Sequence, residues 1–152
     1  MTNTTTSKTT NPRSYQHSVP PCDKELVLKV IPMPADCNQY GHIFGGWVMA
    51  QVDLAGSVLP FRYVEGRIAT VAVKEFVFKE PVRIGDLLSF YSEITEIGKT
   101  SITVDVEVYA ERIHVKGQYV KVTQATLTYV AVDEGGNPKV IQRKEPSELP
   151  KP

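Results

Sequence analysis

The sequence predicts an α+β domain in which one long antiparallel β-sheet wraps a single central helix, and three observations predict it. Four β-rich runs follow one another from residue 68 onward, joined by turn-rich links too short for parallel crossovers. One helical segment, "GHIFGGWVMAQVDLAGSVL" (41–59), precedes them. For most of its length that segment carries a single formal charge, Asp53, and it is apolar nearly all round, the mark of a buried helix.

Taken in order, residues 1–20 are mainly Thr, Asn, Ser and Pro with little to bury, which predicts a disordered tail. "KELVLKVIPM" alternates well enough for a first strand, ended by Pro32 and Pro34. The loop "PADCNQYGHIF" leads into the helix, which Pro60 is expected to terminate. After "EGR" come "IATVAVKEFVF", "DLLSFYSEITEI", "TSITVDVEVYAERI" and "QYVKVTQATLTYVAV". Their links, "KEPVRIG", "GK" and "HVKG", predict that consecutive strands lie side by side. In the third run Ile102, Val104, Val106 and Val108 face one way and Thr103, Asp105, Glu107 and Tyr109 the other, so one face is buried and one is wet. A single domain over 21–142 and a flexible, Pro-rich tail over 143–152 complete the expected organisation.

Seventeen Lys and Arg balance seventeen Asp and Glu with no block of like charge, which argues against a nucleic-acid-binding arm or a membrane-surface patch. No secretory signal and no apolar run long enough to span a bilayer stand out, so the expected location is cytoplasmic. Cys22 and Cys37 form no CxxC and lack the His partners of a zinc site, and are read as free thiols with no metal bound.

The helix holds the candidate site residues. Val48, Val52, Ala55 and Leu59 cover one side, with Trp47, Leu54 and Val58 adjacent. The remaining stripe is Gly46, Ala50, Asp53 and Ser57, with Gly56 alongside, small enough for another backbone or a slender ligand to approach. A buried carboxylate without partners costs several kcal/mol, so Asp53 must be hydrogen-bonded, shifted in pKa, or lining a wet cavity. Both a structural and a catalytic Asp satisfy that condition. Gly45 and Gly46 either supply backbone freedom for the turn into the helix or leave first-turn N–H groups open to a ligand oxygen. Ser57 sits in no nucleophile elbow, and His17 and His114 fall in the tail and in a turn. His42 abuts the glycine pair, and Cys37 nearby is read as an inert thiol.

Over "MPADCNQYGHIFGGWVMAQVDLAG" the chain resembles the hotdog-fold acyl-CoA thioesterases, the group that includes brain acyl-CoA hydrolase and small bacterial YciA-like enzymes. The shared pattern is N-x-x-G-x-x-F-G-G followed by Asp, here Asn38, Gly41, Phe44, Gly45, Gly46 and Asp53. The likeness continues through "GRIATVAVKEFVFKEPVRIGD", the turn "GKTS" and the strand "ATLTYVAVD", over about residues 24–140. The resemblance implies the hotdog fold and hydrolysis of an acyl-CoA to a carboxylic acid and CoA, with no cofactor beyond the coenzyme A of the substrate. It also implies that Asp53 is the general base or the nucleophile, that Asn38 positions water or thioester, and that Gly46, with Gly45, supplies the oxyanion N–H. His42 stands where many relatives carry Asp or Asn.

Gly45 and Asp53 are about 12 Å apart along a helix at 1.5 Å per residue, too far for both to meet one carbonyl. One thioester is therefore expected to see the glycine turn and Asn38 of one subunit and Asp53 of another. This predicts at least a homodimer, and the family's habit extends it to a trimer of dimers. For the CoA phosphates the candidate donors are Arg67, Lys79, Arg83, Lys99 with Thr100 and Ser101, Arg112 and Lys116. The competing readings are a non-catalytic acyl-CoA binding or sensing protein and a dehydratase using His42.

Overall fold

The structure, a computed structural model, describes residues 17–142, so most of the first expected tail and all of the second lie outside the described residues. The four tail residues that are described are not all loose. Ser18 donates its N–H to the Tyr119 carbonyl (2.9 Å), and its Oγ accepts from the Lys121 N–H at 3.3 Å. Backbone pairing of this kind leaves no trace in composition.

The elements are β1 (Glu25–Val30), a short 3-10 turn (Pro34–Asp36), α1 (Gly45–Tyr63), β2 (Arg67–Phe78), β3 (Leu87–Ile97), β4 (Ser101–Glu111) and β5 (Tyr119–Val132). The strands form one antiparallel sheet in the order β1-β3-β4-β5-β2. β4 keeps its predicted alternation: Ile102, Val104, Val106 and Val108 are buried, and the residues between them are less so, apart from Tyr109 at the strand's end. With Phe90 and Leu88 of β3 and Val122, Leu127 and Tyr129 of β5, they form the face on which α1 rests.

One topological expectation is corrected. β2 does not lie beside β3 but pairs with β5, at the far edge of the sheet. The link 79–86 is long enough for this, because eight extended residues reach about 26 Å and three strand spacings take about 14 Å. Its polar groups are met along the way: Lys79 N–H donates to the Val122 carbonyl (2.7 Å), and the Val82 carbonyl accepts from the Ile43 N–H at 3.0 Å.

The helix also differs from expectation at two points. It continues through Pro60 to Tyr63. A proline gives up its own N–H bond and crowds the carbonyl four residues back, but here it sits in the last turn, where little helix remains to disturb, buried against the sheet, while the Val64 N–H closes onto its carbonyl at 2.9 Å. Nor is α1 buried all round. Val48, Val52, Ala55, Gly56, Pro60 and Tyr63 face the sheet, but Leu54 is 59% exposed and Phe61 68%. One chain's sheet reaches around only one side of a helix, and the opposite apolar side needs a second surface. Next to it, the β2 edge exposes Val71, Val73 and Val77.

Candidate active site

Asp53 is half-buried in the middle of α1, and its carboxylate is anchored on one oxygen. Thr70 of β2 donates its hydroxyl to Oδ1 at 2.8 Å, and the Tyr129 hydroxyl of β5 lies 3.2 Å from the same oxygen. The Tyr129 hydroxyl also donates to the main-chain carbonyl of Asp53 at 2.8 Å. Burial, and then the charge of Asp53, push the Tyr129 phenol well above its usual value, so it remains a donor. Both contacts to the carboxylate fall on Oδ1, and Oδ2 accepts none among the described residues. Of the three possibilities for Asp53, hydrogen bonding is the one the geometry displays.

The amino end of α1 is uncapped. Phe44 stands at the N-cap and makes no side-chain cap bond, and the first helical bond runs from the Val48 N–H to the Phe44 carbonyl at 3.2 Å. The amides of Gly45, Gly46 and Trp47 therefore head the helix as donors, where the dipole favours an oxyanion. The two glycines answer to different constraints. A Cβ on Gly45 would lie 3.2 Å from the Phe78 ring, whereas a Cβ on Gly46 would meet nothing within 4 Å. Space is thus open beside the Gly46 amide, and a cleft of about 360 Å³ opens at this end of the helix, lined by Ile43, Gly45, Val48 and the 78–82 segment with Lys79 and Glu80 in it.

Asn38 folds the loop that leads here. Its Oδ1 accepts from the Tyr40 N–H (2.9 Å) and the His42 N–H (3.1 Å), so what remains for a ligand is its Nδ2 donor pair. His42 is exposed and pairs through its backbone with Arg83, while Cys37 pairs likewise with Ile43. The Ser57 hydroxyl is spent on the Leu54 carbonyl at 2.7 Å.

The cationic candidates separate into two groups at opposite ends of the sheet. Arg67 stands opposite Val132, Ser101 opposite Val130, and the Thr100 carbonyl accepts from Ala131, so Arg67, Lys99, Thr100 and Ser101 collect at the end of β5. Lys79, Arg83, Arg112 and Lys116 belong to the other end, about 26 Å away along β5 at strand rise. Arg112 is not a surface hand. It is 7% exposed and pairs through Nη1 with the buried Asp86 carboxylate and the Pro81 carbonyl. An arginine at a strand end reads as solvated, and its partner 26 residues earlier leaves no local signal.

Sequence reasoning missed Thr70 and Tyr129 as partners of Asp53, because they lie 17 and 76 residues away in the chain.

A helix resting on one long antiparallel sheet, with an anchored carboxylate mid-helix and free amides at its head, defines a hotdog protein equipped for acyl-group chemistry. The chain belongs to the thioesterase superfamily, whose profile matches residues 40–117. It is 40% identical over 130 residues to the acyl-CoA thioester hydrolase YciA of Escherichia coli, covering 84% of this chain and 97% of that one. Among solved structures it is similar to a hexameric thioesterase from Yersinia pestis, with 39% identity, a TM-score of 0.76, and coverage of 79% and 98% of the two chains. A hexameric hotdog-fold thioesterase of Campylobacter jejuni is 42% identical, with a TM-score of 0.73 over 78% of this chain and 90% of the other.

Proposed function

We propose that the protein hydrolyses acyl-CoA thioesters in a site shared by two subunits. The carrying observation is the anchoring of Asp53 by Oδ1 alone, which leaves Oδ2 for chemistry. Within one chain, Gly45 packs against Phe78 at one end of β2, while Asp53 bonds to Thr70 towards the other. Antiparallel pairing of two β2 edges about a two-fold axis near residue 74 sets Thr70 of one chain opposite the partner's Phe78. It therefore carries Asp53 to the partner's glycine turn and Asn38. The same operation covers the exposed apolar residues of β2.

In this arrangement the thioester oxygen takes the Gly46 N–H, supported by Gly45 and the Asn38 amide donors, and the acid comes from across the interface. As a base, Asp53 removes a proton from water, whose oxygen adds to the carbonyl carbon; the C–S bond then breaks, and CoA leaves as the thiolate. As a nucleophile, Oδ2 adds directly, CoA leaves, and water cleaves the resulting anhydride. The CoA phosphates fall to the Arg67, Lys99, Thr100 and Ser101 group, which shares the Asp53 end of β2. Assembly into a trimer of dimers, and a cytoplasmic location supported by two unpaired cysteines, belong to the same reading.

The test is CoA release from an acyl-CoA series running from acetyl to palmitoyl, for wild type and Asp53→Asn. The variant is expected to fall by about a hundredfold or more, the order for loss of such a group. Unimpaired turnover in the variant would overturn the assignment, and CoA binding without turnover in wild type would make the protein an acyl-CoA binding module.

A further inference from the structure

Tyr129 is buried to 1% exposure on β5, between β4 and the edge strand β2, and its hydroxyl reaches the helix and touches Asp53 twice, at the main-chain carbonyl and at Oδ1. That reach depends on one other residue. Gly56 lies three residues beyond Asp53 on α1, and a Cβ there would stand 2.5 Å from the Tyr129 hydroxyl, 3.3 Å from Val106 Cγ2 and 3.4 Å from Leu127 Cδ1. No real side chain tolerates the first of these contacts. The glycine in "DLAG" is thus the gap through which the tyrosine approaches the acid.

We propose that Tyr129 is a positioning residue for the hydrolysis, fixing the Asp53 side chain relative to its own backbone so that Oδ2 faces the thioester, and that Gly56 is glycine to admit it. The proposal rests on the reading of Asp53 given above. Its logic is geometric. A carboxylate held by Thr70 alone is tied to the edge strand, which carries two register irregularities. The phenol ties it to the sheet's interior and to the helix main chain at once. Reactions of this kind are sensitive to placement, and a displacement of about 1 Å can cost a hundredfold in rate.

The experiment is a double-mutant cycle of Tyr129→Phe with Asp53→Asn, measuring kcat, KM and the thermal midpoint of the full chain with an acyl-CoA that wild type hydrolyses. Tyr129→Phe alone is expected to lower kcat about tenfold or more with KM and midpoint little changed, and to lower it no further in Asp53→Asn. An intact kcat in Tyr129→Phe, or an equal loss on both backgrounds, overturns the proposal while leaving Asp53 as the catalytic acid. Full activity in Asp53→Asn instead overturns the reading of the site, and this proposal with it. A second arm concerns the gap. Gly56→Ala is expected to lower the midpoint and kcat with Tyr129 present, and Gly56→Ala combined with Tyr129→Phe to recover most of the midpoint but not kcat. Equal destabilisation by Gly56→Ala on both backgrounds would refute the role given to the glycine.

Discussion

Two inactive chains should restore activity when they share a dimer. The first variant, Asn38→Asp, keeps an oxygen to accept the Tyr40 and His42 amides that shape the loop, but replaces the Nδ2 donors. The second, Asp53→Asn, keeps the volume of the acid and removes its basicity. Each homodimer has two damaged sites. Along α1 the glycine turn and Asp53 are separated by about 12 Å, while base and oxyanion donors must each come within about 3 Å of the reacting groups. No single chain can therefore assemble a site from its own turn and its own acid. In a mixed dimer one site collects both defects and the other collects none. Unfolding an equal mixture and refolding it makes half of the dimers mixed, and half of their sites are intact. Thiol-reagent assays of CoA release should thus recover about a quarter of wild-type activity from parents that each have about a hundredth or less. Each variant unfolded and refolded alone supplies the baseline. A refolded mixture that stays at the sum of its parents, with subunit exchange verified by mass, would refute the shared site.

Three further outcomes follow from the same geometry. Burial works to raise the Glu107 carboxyl, but hydrogen bonds from Tyr109, Lys24 and Lys121 outweigh it and bring the group from 4.5 down to about 2. A depressed carboxylate stabilises the fold above its unfolded value and loses that contribution as pH falls from about 4.5 towards 2, so Glu107→Gln should cost at most about 3 kcal/mol at pH 7 in urea unfolding and almost nothing near pH 2. Arg112→Ala leaves the buried Asp86 carboxylate without its cation and should cost about 3–5 kcal/mol in the same measurement, whereas a surface phosphate-binding arginine would cost little. Gly46→Ala should match wild type in thermal midpoint, since its Cβ meets nothing within 4 Å, but should raise KM because the methyl enters the space assigned to the thioester; an unchanged KM would move the thioester elsewhere.

How far the sequence could be read depended on the range of the interactions involved. Strand alternation is local, and β1, β3, β4 and β5 lie within a few residues of where period two puts them. The neighbour of β2 is a long-range choice. A short turn-rich link looks the same whether it closes a hairpin or crosses the end of a sheet, and here the loop before the helix supplies the pairing that makes the crossing possible. Asp53 was conspicuous because a lone charge on an apolar helix demands an account, but the account itself, Thr70 and Tyr129, arrives from two other strands. Arg112 illustrates the opposite error, since a formal charge near a turn says nothing of a buried Asp86 beneath it.

The apolar side of α1 that remains uncovered, and the acid beside it, are two expressions of one constraint. Met49, Leu54 and Phe61 on the helix and Val71, Val73, Val77 and Phe78 on β2 are each between 45% and 68% exposed in the single chain. Covering a half-exposed side chain of this size gains on the order of 1 kcal/mol, so seven of them on each of two chains supply a driving force well beyond that of a stray surface patch. The edge they occupy carries Thr70, and through it Asp53, at one end, and Phe78, against which Gly45 rests, at the other. A surface that pairs this edge with a copy of itself cannot bury the hydrophobic residues without also carrying Asp53 towards the amides proposed as oxyanion donors. With the site proposed above, assembly and catalytic competence become a single event. On that proposal Asp53, half-buried in one chain, acquires its reaction partners only when the helix acquires its second cover.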